Sequence, residues 1–266
     1  MRAISIAKLN ENLVNEDAAI AKEGMIAVSD GAGGGGVFAD LWSQYLVEHL
    51  PCEPITDYKT FDNWLDAIWE SFYNNCEEKA KTVGGMLLNK FYDEGSFATL
   101  VAVWDNGQWI SYGDSVVFCY NITTKKMYHS FSRIKDFNNP PYLVNCKDPS
   151  DEKGFRSGKF ELEEDCVVFA ASDTLAHYIL MMYEVAHADS NAYDTELQEA
   201  IDAQTKNSNL IKAAKGIGKL RFERDVLNKL INSSKNSWNF KQHISLLKKK
   251  GLIAHDDYSI AFLKTK

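Results

Sequence analysis

The sequence predicts an α+β protein with antiparallel sheets, because its helical and strand patterns fall into separate blocks. Helical patterns occur near the start and in the last third, with strand patterns between them and one more at the end. The alternation of strand and helix that builds a parallel sheet is absent. With 266 residues, 45% of them hydrophobic and 25% charged, the composition is that of a globular protein with one large domain or two small ones.

The first block combines short apolar strands with two helices. Residues 2–7 and 25–29 are apolar runs typical of buried strands. Residues 37–50 follow a glycine-rich loop and predict a helix, and residues 60–81 predict a longer one. On the longer helix, apolar side chains recur with the helical period and mark a buried face: Phe61, Trp64, Leu65, Ile68, Trp69 and Phe72.

Strand signals dominate the middle of the chain. Residues 96–104 and 108–113 flank the turn signal Asp-Asn-Gly and predict a β-hairpin. The segments "VVFCYN" and "MYHSF" continue this meander, and residues 165–172, "DCVVFAAS", predict another buried strand. The sequence "NNPP" at 138–141 predicts a loop.

The last third is predicted to be mostly helical, at 174–186, 194–204, 218–232 and 238–250, and it ends in a strand at 256–264. Within it, residues 187–217 are rich in Ser, Asn, Lys and Gly, which predicts a loop or a small inserted subdomain.

Charge and composition argue against several classes of protein. The formal net charge of −8 argues against general nucleic-acid binding, which needs a basic surface. No apolar run is long enough for a membrane span, and the first residues lack the apolar core of a signal peptide. The five cysteines are scattered and form no paired motif, which favours reduced thiols and a cytoplasmic location over a cysteine zinc site.

Carboxylates recur where predicted strands begin or end. These residues are Glu16, Asp17, Asp30, Asp114, Asp173, Asp256 and Asp257. If the strand ends meet at one edge of the fold, the carboxylates repel one another and their pKa values rise, unless a cation lies among them. Ligands made only of oxygen favour hard ions such as Mg²⁺ or Mn²⁺. Taken singly, each aspartate could equally be a turn residue or a helix cap.

The loop "GAGGGG" after Asp30 has little side chain, which allows the backbone to approach a metal ion or its anion closely. It lacks the Gly-Lys-Ser/Thr ending of a P-loop and the spacing of a dinucleotide fingerprint, so nucleotide binding is disfavoured.

The order of these motifs resembles the metal-dependent protein phosphatases of the protein phosphatase 2C type, in particular the bacterial ones. The motifs are "NEDAAIA", "AVSDGAGG" followed by a helix, "GSFATLVAV", "GDS", "VVFAASDTL" and "DDYSIAFL", over residues 1 to 264. The resemblance implies two antiparallel sheets packed face to face with helices on both outer sides. It also implies a single domain over 1–266, with a variable flap and its supporting helices at about 187–250.

The resemblance further implies a centre of two Mg²⁺ or Mn²⁺ ions in a cleft at one end of the sandwich. Asp30 would bridge both ions, and the carbonyl of Gly31 would bind one of them. Asp173 and Asp256 would complete the shell of the second ion. Asp257 takes a position often held by asparagine, so its replacement by asparagine is expected to be mild.

Further roles follow from the same resemblance. Glu16 and Asp17 would act largely through metal-bound waters, which places Asp17 beside Asp30 in the catalytic machinery. Asp114 resembles the aspartate that helps to hold a third, weaker ion. Lys8 is the nearest base to the "NED" motif and therefore the candidate for holding the substrate phosphate, although many members have a base closer to that motif.

The implied reaction is removal of phosphate from phosphoserine or phosphothreonine in proteins by an activated water, which needs no nucleophilic cysteine or serine. The partners would be a phosphoprotein and a Ser/Thr kinase. Ala32 stands where many members have a histidine, and Thr174 where they have a glycine. Because of these departures, a binding or regulatory module with little turnover is an alternative function. A small-molecule phosphatase is another alternative.

One basic segment, "KAAKGIGKLRFER" at 212–224, is left without a role by these assignments. It could attract acidic phosphopeptides if it lies in the flap, or it could be a solvated surface.

Overall fold

The computed structural model of the protein describes residues 1–9, 11, 13–188, 191–204 and 207–264. Its strands are β1 (Arg2–Ile6), β2 (Ala18–Lys22), β3 (Met25–Ser29), β4 (Phe97–Ala98), β5 (Leu100–Trp104), β6 (Gln108–Tyr112), β7 (Val116–Asn121), β8 (Met127–His129), β9 (Val144–Asn145), β10 (Phe155–Lys159), β11 (Cys166–Ala171) and β12 (Tyr258–Lys264). Its helices are α1 (Ala39–His49), α2 (Tyr58–Val83), α3 (Gly85–Glu94), α4 (Asp173–Ala186), α5 (Asn191–Asp202), α6 (Ser208–Lys215), α7 (Asn228–Ser233) and α8 (Ser237–Lys249).

Two five-stranded antiparallel sheets pack face to face. The first has the strand order β1-β12-β11-β7-β8, and the second has the order β10-β6-β5-β3-β2. Small aliphatic side chains from both sheets fill the layer between them, among them Ile26 and Val103 from one sheet and Val117 and Val168 from the other. The predicted α+β class with antiparallel sheets is therefore confirmed.

Helices cover both outer faces of the sandwich, as the resemblance implied. Helices α1 to α3 pack on the second sheet through a core that includes Trp42 and Phe61. Helices α4 to α8 cover the first sheet through a larger core that includes Leu175 and Phe240. None of the described helices is both long and apolar enough to cross a membrane.

Helix α2 shows how local sequence sets the bounds of an element. The side chain of Asp57 accepts a hydrogen bond of 2.9 Å from the backbone N–H of Thr60 and caps the helix N-terminus. Gly84, with φ of 70°, ends it, because a residue with a side chain is strained at positive φ. Between these ends, Phe61, Leu65 and Phe72 are buried on one face, while the predicted Trp64, Ile68 and Trp69 are only partly buried.

Residues 187–217, predicted as a loop or a small inserted subdomain, contain two helices. Helix α5 corresponds to the helix predicted at 194–204, whereas α6 was not predicted. In α6 only two side chains, Ile211 and Ala214, are buried, so its sequence is too polar for a clear helical pattern. The helix predicted at 218–232 begins later, through a π-helical turn at Glu223–Leu227 that leads into α7. Elements that the sequence pattern did not indicate are α3, α6, β9 and β10.

Candidate active site

Asp30 lies directly after β3, where contacts to another strand hold its backbone. The N–H of Thr99 donates to the Asp30 carbonyl at 2.8 Å, and the N–H of Asp30 donates to Oγ1 of Thr99 at 3.2 Å. The Thr99 hydroxyl also lies 2.7 Å from the hydroxyl of Ser115, which follows Asp114 in the chain. The buried threonine therefore fixes Asp30 relative to the loop that carries Asp114.

Close backbone packing explains two of the glycines that follow. The N–H of Gly31 donates to the Glu16 carbonyl at 3.1 Å. A Cβ atom at Gly31 would lie 2.5 Å from that oxygen, and one at Gly36 would lie 2.6 Å from the Gly95 carbonyl oxygen. At Gly34 a Cβ would meet no atom within 4 Å. The loop thus needs glycine where it touches other backbone, a reason that the sequence did not reveal.

Asp17 is a buried carboxylate, with 7% of its surface exposed. It lies beside β2 and takes hydrogen bonds from the side chains of Ser172 and Ser259. Burial, followed by the charge of Asp173, raises the pKa of Asp17 to about 8. Within the described part of the chain, its Oδ2 atom is buried and has no hydrogen-bond partner. Such an oxygen is costly to leave unpaired, so it is a natural place for a cation or a water.

Asp30 interacts with a group of other carboxylates. Burial raises its pKa well above the ordinary value, and the charges of Asp17, Asp173, Asp114 and Asp256 raise it further. Four of the predicted site residues therefore converge on Asp30 across more than 200 positions of sequence.

Asp173 begins α4 and faces Asp30 directly. Its pKa is raised by burial and by the charge of Asp256, against the opposing effect of hydrogen bonds from the Thr174 N–H and from Asp30. Two carboxylates this close repel each other, which disfavours the ionised form of both.

The two aspartates before β12, Asp256 and Asp257, have different surroundings. The side chain of Asp256 is 43% exposed, and its Oδ1 lies 3.3 Å from Nζ of Lys8. Asp257 is only 4% exposed. Its carboxylate accepts the backbone N–H groups of Lys8 and Glu16, each at 2.8 Å. Asp257 therefore ties the first segment of the chain to the last, which predicts a loss of stability when asparagine replaces it.

Lys8 reaches the acidic cluster, as its candidacy for phosphate binding requires. Besides Asp256, its Nζ lies 3.9 Å from Oε2 of Glu16. Burial lowers the pKa of Lys8, but the combined attractions of Asp256, Asp257 and Glu16 outweigh it, so the pKa is raised and the ammonium stays charged. The pKa of Glu16 is raised, mainly by burial, even though Lys8 lowers it.

A cavity of about 230 Å³ opens beside Asp173 and Asp256. Thr174 lines it, so the side chain that replaces the glycine of related motifs does occupy space beside the carboxylates. His177 and His255 line it as well. Neither histidine belongs to a sequence motif, so sequence reasoning did not place them near the site.

Arg156 on β10 is a second base that the sequence did not single out. Its Nη2 donates to the Gly113 carbonyl at 2.6 Å, and its guanidinium lies 5.6 Å from the centre of the Phe131 ring. Burial lowers the pKa of Arg156, while the charges of Asp114 and Asp136 oppose that effect. Arg156 therefore compensates the charge of Asp114 and supports its loop.

The donor set agrees chemically with a hard divalent ion, because it consists of carboxylates with an unpaired buried oxygen among them. Among the described residues, however, no three His, Cys, Asp or Glu side chains are arranged to hold one ion together. Protein-bound Mg²⁺ keeps several water ligands and is often held by one or two carboxylates. The site therefore fits an ion held partly by water or backbone oxygen, and not a closed cage of side chains.

Comparison with solved structures shows which fold this is. The chain is similar to the serine/threonine phosphatase Stp1 from Staphylococcus aureus, with a TM-score of 0.50 and 11% identity over 99% of this chain and 94% of that one. It is equally similar to the catalytic domain of the serine/threonine phosphatase PstP, crystallised with two manganese ions, with a TM-score of 0.50 and 14% identity over 97% of this chain and 94% of that one.

No protein-family model matches the sequence, and a comparison with curated proteins finds no relative. The similarity is therefore one of fold. The chain has the fold of bacterial phosphatases of the protein phosphatase 2C type.

Proposed function

We propose that this chain, folded as a protein phosphatase 2C-type phosphatase, is a metal-dependent phosphomonoester hydrolase that removes phosphate from phosphoserine or phosphothreonine in proteins. The observation that supports the proposal is that the charges of Asp17, Asp173, Asp114 and Asp256 all act on Asp30. Carboxylates that raise one another's pKa repel each other, and a bound cation would remove that repulsion, so the arrangement favours cation binding.

The proposed ligands are the residues predicted from the motif order. Asp30 and the Gly31 carbonyl would hold Mg²⁺ or Mn²⁺, and Asp173 and Asp256 would complete a second site. The unpaired oxygen of Asp17 supports its assignment to this centre. Two further residues extend the proposal, with Glu16 acting through water and Asp114 contributing to a third ion.

When bound, two divalent ions would lower the pKa of a water and offset charge on the transferring phosphoryl group. The chain's own residues would orient the reactants. The buried oxygen of Asp17 would accept a hydrogen bond from the attacking water. The charged Lys8 would bind a phosphate oxygen, since its Nζ already lies 3.3 Å from Asp256 at the edge of the cavity. Thr174 would limit the room beside the leaving group.

The test is release of phosphate from para-nitrophenyl phosphate and from a phosphothreonine peptide, with Mn²⁺, with Mg²⁺ and with EDTA. We expect turnover with either metal and none with EDTA. Asp30→Asn should lower kcat at least about a hundredfold, as removal of a main electrostatic contributor does. Asp66→Asn is the matched control, because this exposed aspartate on α2 lies outside the cluster. Activity that survives complete metal removal would refute the two-metal mechanism.

A binding or regulatory module with little turnover is the second candidate. Two observations favour it: no three side chains of the described residues are arranged to hold an ion, and the Lys8 ammonium already neutralises part of the cluster. Metal binding seen as a rise in melting temperature, without hydrolysis of either phosphoester, would support this candidate over the enzyme.

The remaining proposals follow from the hydrolase. Its partners would be a phosphoprotein substrate and the Ser/Thr kinase that phosphorylates the same residue of that substrate. The chain over 1–266 would work as one domain, with residues 187–250 as the flap that contacts the substrate. If the natural substrate is instead a small molecule, a small-molecule phosphate ester should be hydrolysed faster than the phosphopeptide.

A further inference from the structure

A second concave surface lies at the end of the sandwich remote from the carboxylates. Helix α4 begins at Asp173 and ends at Ala186, so its two ends are ~20 Å apart at 1.5 Å per residue. Two adjoining cavities of about 480 and 540 Å³ lie against its last turn and share Ala186, Leu220 and Arg221. We refer to this surface as the basic groove.

Cations from three parts of the chain surround the basic groove. They are Lys125 from the turn after β7, Lys215 from the end of α6, and Lys219, Arg221 and Arg224 from the segment that follows. All five are exposed. Glu223 is the acidic residue of the lining. This concentration of positive charge stands out in a chain with 29 basic and 37 acidic residues.

Intramolecular ion pairs among the described residues do not account for all five of these charges. Arg224 is engaged, with Nη2 lying 2.8 Å from Oδ2 of Asp225. Across the described residues, no ion pair uses the side chain of Lys125, Lys219 or Arg221. Three cations therefore lie at one concave surface without a carboxylate partner among the described residues.

Stabilisation of the end of α4 does not explain the cations either. Bases near a helix C-terminus can compensate its unpaired carbonyls. Here those carbonyls have partners, because the N–H of His187 donates to Glu184 at 3.0 Å and the N–H of Ala188 donates to Val185 at 3.3 Å. The ring of His187 also contacts the Tyr183 carbonyl at 2.7 Å.

Apolar side chains line the groove between the cations, which favours a ligand with both acidic and apolar groups. Val185, Ile217 and Leu220 line it, and the rings of Tyr120 and Phe222 pack with their centres 5.2 Å apart at its base. Arg224 belongs to the π-helical turn Glu223–Leu227, a conformation that is frequent at functional sites.

We propose that the basic groove binds an acidic segment of a partner protein, in which aspartate or glutamate alternates with apolar side chains. Carboxylates would pair with Lys219, Arg221 and Lys125, and the apolar side chains would fill the space between Val185 and Leu220. A nucleic acid fits less well, because Glu223 and the net charge of −8 would repel a uniform polyanion. A membrane surface fits less well because the charges line a recess. The proposal does not depend on hydrolysis or on metal.

The test is fluorescence anisotropy with a short labelled peptide of glutamate and aspartate with interspersed leucine and phenylalanine, in EDTA and at low ionic strength. The double variant Lys219→Glu/Arg221→Glu should weaken binding at least about tenfold, because two attractive contacts become repulsive. The matched control is Lys59→Glu/Lys79→Glu, which makes the same change in net charge on α2, over the opposite sheet. This control should change the Kd by less than about twofold.

Thermal melts of both variants establish that they fold. A peptide with serine in place of its leucine and phenylalanine should bind more weakly than the parent peptide. Equal loss of binding in both double variants would show a general charge effect and overturn the proposal. So would the absence of binding to the unaltered protein. Binding of a single-stranded oligonucleotide or of anionic lipid vesicles more tightly than the peptide, with the same loss in Lys219→Glu/Arg221→Glu, would overturn the assignment to a protein segment.

Discussion

Adjacent aspartates before β12 are expected to respond in opposite ways to the same substitution. Asp257→Asn should destabilise the fold, whereas Asp256→Asn should leave stability almost unchanged and abolish most activity. The two substitutions are chemically identical and one residue apart, so they differ only in what each carboxylate contacts. Asp257 accepts two backbone N–H groups, those of Lys8 and Glu16, while Asp256 faces Lys8 from a half-exposed position.

The magnitude follows from these contacts. An asparagine at 257 has one acceptor oxygen, so one of the two buried N–H groups would face the amide NH₂ and lose its partner. Loss of one charge-assisted hydrogen bond and the cost of an unpaired N–H together amount to about 3 kcal/mol. For a chain of this length, ~2 °C of melting temperature per kcal/mol gives a fall of roughly 6 °C. The half-exposed ion pair of Asp256 contributes below about 1 kcal/mol.

The assay combines a thermal melt in EDTA with steady-state hydrolysis of para-nitrophenyl phosphate in Mn²⁺. Asp256→Asn should melt within about 2 °C of the unaltered protein and lose most of its kcat. Asp257→Asn should melt clearly lower and keep more of its kcat than Asp256→Asn at a temperature where it is folded. If Asp257→Asn melts with the unaltered protein, or Asp256→Asn is the less stable of the two, the reasoning from hydrogen bonds is refuted.

Three further substitutions test other parts of the structure. Asp30→Asn should be at least as heat-stable as the unaltered protein in EDTA, because it relieves repulsion between carboxylates. It should lose most of the stabilisation by Mn²⁺, which is ~2.7 kcal/mol at a hundredfold excess over Kd. A normal shift of its melting temperature with Mn²⁺ would show that Asp30 is not a ligand. Gly31→Ala should cost about 1–3 kcal/mol of unfolding free energy, since its Cβ would lie 2.5 Å from a carbonyl oxygen, while Gly34→Ala, with nothing within 4 Å, serves as the neutral control in a urea titration. Burial raises the pKa of Glu184 to about 8, so its proton binds more tightly in the folded state and stability is lost as pH rises from the ordinary value towards 8. Glu184→Gln should therefore be more stable than the unaltered protein above pH 8, by on the order of 2–4 kcal/mol, and the difference should vanish below pH ~4; equal stability at all pH values would contradict the raised pKa.

Local sequence was sufficient for most of the secondary structure. The predicted helix at 60–81 is observed as Tyr58–Val83, because its apolar period lies within the segment and its capping residue, Asp57, directly precedes it. The buried strand predicted at 165–172 is observed as Cys166–Ala171, since six consecutive buried residues leave little choice of conformation. Helix α6 was missed within 187–217 because it is held by packing on α4 and α5, which its own residues do not reveal.

By itself, the sequence determined the fold class, the places where strands end in carboxylates, and the order of motifs that fits the observed sandwich. These are properties of short segments, and burial of apolar runs enforces them wherever the chain folds. The tertiary structure alone decided that Asp257 holds the backbone of Lys8 and Glu16, which lie 249 and 241 positions away. It also decided that Lys125 joins the cations of 215–224 in one groove. Contacts at such separations depend on the packing of both sheets, and no local pattern of residues encodes them.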